Sequence, residues 1–177
     1  MELFVPETTD FIPLSIAVLT ISDSRTEADD TSGQVLIDHI IKAGHRFAER
    51  RIVKDDIYHI RAVISEWIAD SEIHAVVTTG GTGVTGRDGT PEAVKPLLDK
   101  EIDGFGELFR AISFEQIKTS SIQSRAIAGV ANATFIFCLP GSSSACHTGW
   151  ESLIEAQLDY RTRPCNLVML MPRLLER

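Results

Sequence analysis

The sequence predicts an α/β domain of three layers, with a mostly parallel sheet, one antiparallel element and helices on both faces. Three observations carry this expectation. Short apolar, β-branched runs alternate with segments whose apolar residues recur at helical spacing, the pattern of βαβ units. The run 14–22, Leu-Ser-Ile-Ala-Val-Leu-Thr-Ile-Ser, is apolar almost throughout, as in a strand covered on both faces. A later pair of short runs, 126–132 and 134–139, is joined at Asn132-Ala133 and reads as a hairpin, although Asn-Ala is a weak turn signal.

Taken in order, the strand at 14–22 leads into the polar patch Asp23 to Asp30. A helix is expected from Asp30-Thr31-Ser32, with Val35, Leu36, Ile40 and Ala43 on one face and Gly44 just past its end. Phe47 to Val53 forms a second, weaker strand, closed by Lys54-Asp55-Asp56. Ile57, Ile60, Ile64, Trp67 and Ile68 repeat at helical spacing, and residues 73–79 form the third strand. Thr90 is expected to cap a helix that runs to about Asp99, with Pro91 at its first position. A further amphipathic piece spans Ile102 to Ile112. After Pro140-Gly141-Ser142, Cys146, Trp150, Leu153, Ile154 and Leu158 mark a long helix ended by Arg163-Pro164. The apolar tail Leu167 to Met171 is left as a buried last strand or an assembly surface.

The 177 residues suffice for one domain, with a leader at 1–13 and a tail at 163–177. No repeat or interior linker divides the chain. The 44% hydrophobic and 24% charged fractions are those of a soluble globular protein, and no apolar run reaches membrane-spanning length. The first ten residues lack the basic and apolar regions of a signal peptide. Three widely spaced cysteines give neither a disulfide framework nor zinc spacing, so the cytoplasm is the expected compartment. A net charge of −8 argues against long nucleic acid as a partner. Small anionic ligands stay open, held by backbone donors or a divalent cation.

The most informative segment is 78–92, Thr-Thr-Gly-Gly-Thr-Gly-Val-Thr-Gly-Arg-Asp-Gly-Thr-Pro-Glu. Five glycines within ten residues, between a strand and a helix, suit a loop that holds phosphate through backbone N–H groups. Arg87 and Asp88 add a cation and a carboxylate, a pairing that suits phosphate with a metal ion. The match to G-x-G-x-x-G at 81–86 follows the third strand rather than the first, and its helix opens too late for a dinucleotide fingerprint. Arg87-Asp88 stands where a P-loop needs Lys and Ser or Thr. In an open α/β sheet the ligand site lies at the carboxyl ends of the strands. There Ser22-Asp23, Asp55-Asp56, the glycine loop and Pro140-Gly141-Ser142 would gather, with Ser124-Arg125 nearby.

Several of these residues have plainer readings. Asp55 also reads as the cap of the helix starting near Asp56, Asp88 as a turn stabiliser, and Arg125 as a surface ion pair. His147 reads as a partly exposed helix residue, with no second His at metal spacing. Cys138 and Cys146 read as small packing residues.

The combined motifs resemble the MoaB/MogA family of molybdenum-cofactor biosynthesis proteins, whose fold recurs in the gephyrin G domain and its plant counterpart. The matching stretches are Leu19-Thr-Ile-Ser-Asp23, Asp30-Thr-Ser-Gly33, Thr79-Gly-Gly-Thr-Gly83, Arg87-Asp-Gly-Thr-Pro-Glu92, Gly104-Phe-Gly106, Ser124-Arg125 with Ala128-Gly129, and Leu139-Pro-Gly-Ser142. They span about residues 14 to 166. The resemblance implies a molybdopterin-binding fold and, for its active members, transfer of AMP from ATP to the terminal phosphate of molybdopterin with Mg²⁺. It implies that Asp55 and Asp88 are catalytic acids able to hold Mg²⁺. Ser22, Asp23, Gly80, Gly81, Thr82, Gly83, Arg87, Ser124, Arg125, Pro140, Gly141 and Ser142 would contact pterin or nucleotide. The ends Asp10-Phe-Ile-Pro13 and Thr162-Arg-Pro-Cys-Asn166 look like the MoaB branch, some members of which lack the loop acid. This chain keeps Arg87-Asp88 and Asp55, which favours catalysis over the alternative of a non-catalytic pterin carrier or scaffold. The resemblance also implies a homo-oligomer, trimeric or hexameric, and contact with other cofactor-assembly proteins.

Overall fold

The computed structural model describes residues 10–176, so most of the leader lies outside the described residues. Its six strands are β1 (Ser15–Ile21), β2 (Arg46–Val53), β3 (Ala75–Thr79), β4 (Lys100–Glu101), β5 (Ile127–Ala131) and β6 (Thr134–Leu139). They form one sheet in the order β2-β1-β3-β6-β5-β4. The pairs β1–β2, β1–β3 and β3–β6 are parallel, whereas β5 runs against both β6 and β4. All seven residues of β1 are buried, as a central parallel strand requires. β2 lies at the edge, and its Arg46, Glu49, Arg50 and Arg51 keep that edge polar.

The helices are α1 (Thr31–Lys42), α2 (Ile57–Ala69), α3 (Thr90–Val94), α4 (Asp103–Ile117) and α5 (Ser143–Gly149). A π-helical turn, Trp150–Ile154, joins α5 to α6 (Glu155–Leu158). Side chains alternate across β1, so its two faces enter two cores. Ile16 and Val18 pack with Leu36 and Ile40 of α1, Phe105 and Phe109 of α4, Trp150, Ile154 and Leu158. Ala17, Leu19 and Ile21 pack with Ile60, Ile64 and Trp67 of α2 and Ala93 and Val94 of α3. Each fully buried Leu or Ile contributes roughly 1.5–3 kcal/mol. No described helix is long and apolar enough to cross a membrane.

The hairpin between β5 and β6 forms despite its weak turn sequence. Asn132 and Ala133 take φ of 44° and 66°, as a tight two-residue hairpin turn demands. Asn132 is tied down from outside: its N–H donates to Asp99 Oδ2 at 2.7 Å and its Nδ2 to Ile68 O at 2.9 Å. Tertiary contacts thus hold what local propensity does not.

Four expected boundaries move. The helix after the glycine loop ends at Val94, not near Asp99; Pro96, which has no N–H to donate, sits in a 3-10 turn, Lys95–Leu97, and the chain then forms β4. Thr90 is the first helical residue rather than the cap. The last long helix stops at Leu158, before Arg163-Pro164, because Asp159 is extended. The tail is neither strand nor wholly buried: Val168–Arg173 is a 3-10 helix in which Val168 joins the core and Leu170 is exposed.

Candidate functional site

The parallel register brings the carboxyl ends of β1, β2, β3 and β6 to one edge: Ile21 pairs with Val53, Thr20 with Thr79, and Thr79 with Leu139. The segments that leave these strands line a cavity of about 560 Å³. Twelve of the expected residues line it: Ser22, Asp23, Asp55, Gly80, Gly81, Thr82, Gly83, Asp88, Ser124, Pro140, Gly141 and Ser142. Arg87 and Arg125 are not among the lining residues.

The glycine loop turns sharply as β3 ends. Gly80 has φ +108°, and a Cβ there would lie 2.2 Å from Ile21 O, so only glycine fits. Gly81, at φ +65°, backs onto Thr90 and Asp55. Thr90 braces the turn by donating its Oγ1–H to Gly80 O (2.9 Å) and its N–H to Gly81 O (3.0 Å). Two of the four amides at 80–83 are engaged within the protein. Gly80 N–H extends the ladder to Leu139 O at 3.0 Å, and Gly83 N–H hydrogen-bonds the Asp88 carboxylate. Gly81 N–H and Thr82 N–H donate no hydrogen bond among the described residues.

Arg125 fastens this loop from behind. Its Nε–H donates to Gly83 O and one NH₂ group to Asp88 O, each at 2.7 Å, while the other pairs with Glu92. Its backbone N–H donates to Thr82 O at 2.9 Å. Arg87 makes a two-pronged pair with Asp23 at the rim, through Nε at 3.0 Å and an NH₂ group at 2.6 Å. Both guanidiniums are thus paired with an acid, Arg87 with Asp23 and Arg125 with Glu92.

The acids divide the work. Asp56, not Asp55, caps α2, accepting from Tyr58 and His59 N–H at 2.9 and 3.1 Å. Asp55 therefore faces the loop. Its Oδ1 is buried without a hydrogen-bond partner among the described residues. Burial, reinforced by the nearby Asp88 and Asp23 charges, outweighs a hydrogen bond from Gly89 N–H and raises its pKa above the ordinary carboxylate value. Burial also pushes Asp88 upward, but hydrogen bonds from Thr85 and Gly83 outweigh it and hold the carboxyl below its ordinary range. The Arg87 hydrogen bond does the same for Asp23. An orphaned, buried carboxylate oxygen beside an ionised Asp88 is a donor set that fits a hard divalent cation, which takes one or two protein carboxylates and completes its shell with water and substrate oxygens. Among the described residues, Asp23, Asp55 and Asp88 do not close into a three-ligand cage.

Several lining residues were not expected. Arg25 donates to Ser32 Oγ (2.6 Å), Asp30 Oδ1 (3.4 Å) and Gly141 O (3.3 Å), and so ties the β1 exit to the β6 exit. Asp30 is buried; it caps α1 through Gly33 N–H and accepts from Thr20 Oγ1–H at 2.7 Å. Phe109, Ser113, Gln116 and Ile117 of α4 form the opposite wall, where Thr148 Oγ1–H donates to Gln116 Oε1 at 2.9 Å. The sequence signal for this wall was a polar stripe at 113 and 116, just past the apolar one. Burial pushes the Cys138 and Cys146 thiols up to about 12 and about 11, so both remain packing residues. His147 is half exposed on its helix as expected, but His39 lies against it from 108 residues away.

Residues 17–160 match the family model described as "Probable molybdopterin binding domain". The chain is 56% identical over 158 residues to molybdenum cofactor biosynthesis protein B of Escherichia coli K12, covering 89% of this chain and 93% of that protein. A crystal structure of a molybdenum cofactor biosynthesis protein B, 44% identical, superposes with a TM-score of 0.81 over 83% of this chain and 92% of the other. That of the tungsten cofactor synthesizing protein MoaB from Pyrococcus furiosus, 39% identical, gives 0.73 over 80% and 91%. With the glycine loop, the acids and the strand exits in one cavity, the chain belongs to the MoaB/MogA family of molybdenum-cofactor biosynthesis proteins and carries its molybdopterin-binding domain.

Proposed function

We propose that this chain adenylylates molybdopterin. A terminal phosphate oxygen of the pterin attacks the α-phosphorus of ATP, a new P–O bond forms, the α–β bridging P–O bond breaks, and pyrophosphate leaves. The attacking oxygen is already anionic, so the protein's task is positioning and charge management rather than proton removal. The observation that carries this reading is the buried, unpartnered Asp55 Oδ1 beside Gly81, across the loop from an ionised Asp88. Asp55 and Asp88 would hold Mg²⁺, whose charge would neutralise phosphate oxygens. The amides of Gly81 and Thr82 would hold the pterin phosphate. Phe109 and Ile117 offer an apolar wall, and Gln116 and Thr148 polar edges, for a flat heterocycle. Assembly with like chains, as a trimer or hexamer, belongs to the same reading; exposed Leu108, Phe114 and Ile122 support it.

A second reading, a pterin carrier without chemistry, is favoured by one observation: Asp88 is satisfied within its own turn by Thr85. One experiment separates the two. Purified chain incubated with molybdopterin, ATP and Mg²⁺ is expected to yield adenylylated pterin and pyrophosphate. Asp55→Asn and Asp88→Asn should abolish product while retaining pterin binding. A wild-type chain that binds pterin tightly yet forms no product would leave the carrier reading standing.

A further inference from the structure

His39 of α1 places Nε2 2.8 Å from Nδ1 of His147 on α5. Glu151, one turn beyond His147 in the π-helical segment, sets Oε1 3.7 Å from the former nitrogen and 3.8 Å from the latter. Among the described residues this is the one set of three metal-ligating side chains whose donor atoms all lie within 4.8 Å of one another. None of the three lines the cavity, and the proposed chemistry uses none of them. The geometry points to a second cation site here, for a divalent transition metal of the zinc class bound by two imidazoles and one carboxylate, with water completing the shell.

The distances support this assignment. Zinc–nitrogen and zinc–oxygen bonds of about 2.0–2.2 Å in a tetrahedron put neighbouring donor atoms about 3.4 Å apart. The observed 2.8, 3.7 and 3.8 Å bracket that value, so each contact needs to change by only about half an ångström. The two side chains that would move are free to do so, since His147 and Glu151 are 51% and 57% exposed. The third is anchored: His39 is 8% exposed in its side chain and stacks on Trp150 with ring centroids 6.0 Å apart and planes 18° from parallel. Two imidazoles select a borderline-soft transition ion, whereas Mg²⁺ prefers an all-oxygen shell; the two sites would therefore take different ions. Trp150–Ile154 is also a π-helical turn, a rare element that recurs at functional sites.

The position suggests what the ion does. α1 opens at the cavity with Asp30 and Ser32, and α5 opens there with its cap Ser142. His39 lies nine residues beyond Asp30, roughly 13 Å along the helix. An ion shared by His39, His147 and Glu151 would clip these two cavity walls together at a distance from the chemistry.

The test uses the full chain carrying Cys165→Ser, which removes the exposed thiol as a competing ligand. After chelator treatment the protein is titrated with Zn²⁺ by calorimetry, and with Co²⁺ as a visible spectroscopic probe of nitrogen and oxygen coordination. One Zn²⁺ per chain is expected, undisturbed by excess Mg²⁺ and accompanied by a rise in thermal midpoint. Loss of an outer-shell partner alone costs about 10–100-fold, so removing a direct ligand by His147→Ala or Glu151→Gln should weaken binding by at least about 10-fold. Both positions are exposed, and circular dichroism checks that each variant folds. If His147→Ala does not fold, Glu151→Gln alone decides. Asp55→Asn should leave this Zn²⁺ affinity unchanged, so failure here is distinct from failure of the adenylylation reading. Absence of a one-equivalent site in the parent chain, or undiminished affinity in the folded variants, overturns the assignment.

Discussion

Asp55→Asn should make the protein more stable and less active. Folding buries Asp55 Oδ1 without a partner, near the Asp88 and Asp23 charges. An unsatisfied buried polar atom costs about 1–3 kcal/mol, and because Asp55 is only partly buried the low end, about 1 kcal/mol, is appropriate. An asparagine there carries no charge and can turn its NH₂ toward the neighbouring carboxylates. For a chain of this size 1 kcal/mol corresponds to about 2–4 °C, so the midpoint at pH 7 should rise by about that much. The sign follows from linkage. The folded carboxyl has a pKa raised above 3.8, so the folded state binds its proton more readily than the unfolded chain. The penalty is fully present above the raised value and vanishes as pH falls below 3.8, so the advantage of the variant should shrink on acidification. Mg²⁺ supplies a second readout. At ten times its dissociation constant it would stabilise the wild type by about 1.4 kcal/mol, a shift of about 3–5 °C that Asp55→Asn should lose. Differential scanning fluorimetry with and without Mg²⁺ measures both. A variant less stable than wild type at pH 7, or one that keeps the full Mg²⁺ shift, would refute the reasoning.

Gly80→Ala combines φ +108° with a Cβ 2.2 Å from Ile21 O and should cost about 3 kcal/mol or more, together with pterin affinity. Gly86→Ala, where an added Cβ meets nothing within 4 Å, should stay within about 0.5 kcal/mol; chemical denaturation of the pair checks both. Arg125→Ala removes the bonds to Gly83 O and Asp88 O and should cost about 2 kcal/mol, with faster hydrogen exchange confined to the glycine loop. His45 is buried, accepts from Leu14 N–H at 3.1 Å, and has its pKa lowered by burial. Between that lowered value and the ordinary 6.5 the unfolded chain binds the extra proton, so stability should fall as pH drops through this window. His45→Asn should flatten that part of a midpoint-versus-pH curve.

The fold was legible because its signals are local and repeated. Seven buried residues in a row mark β1, and apolar residues at helical spacing mark α1 and α2. The cavity was legible for a topological reason: parallel strands end on one edge, so their exits had to meet. What escaped depends on dihedrals and on distant partners. Asp55 and Asp56 are adjacent identical residues, and only the extended backbone of Asp56 decides which one caps α2. The five glycines look alike in sequence, yet Gly80 and Gly81 alone among them take positive φ. The partners of Arg87 and Arg125 could not be named from the sequence because Asp23 and Glu92 lie 64 and 33 residues away. His39 and His147 met no spacing rule for the same reason.

The pairing of the arginines bears on the chemistry. Arg25 is engaged by Asp30, Arg87 by Asp23 and Arg125 by Glu92, so each guanidinium around the cavity already faces an acid. Those pairs cancel, and Asp55 and Asp88 remain. A cavity with this surplus repels a polyanion unless something reverses its sign. Two amides of the glycine loop supply partial positive charge, enough to orient one phosphate group but not to offset a triphosphate beside two carboxylates. Asp88 meets the surplus by drawing on hydrogen bonds from Thr85 and Gly83, whereas at Asp55 the Gly89 N–H and the Arg87 charge do not outweigh burial, and Oδ1 has no hydrogen-bond partner among the described residues. In a protein that merely held a pterin phosphate, Asn at 55 would serve better, since it would relieve both the burial and the repulsion. If a divalent cation arrives with the nucleotide, as the proposed function requires, this unfavourable group at the edge of the glycine loop becomes its binding site.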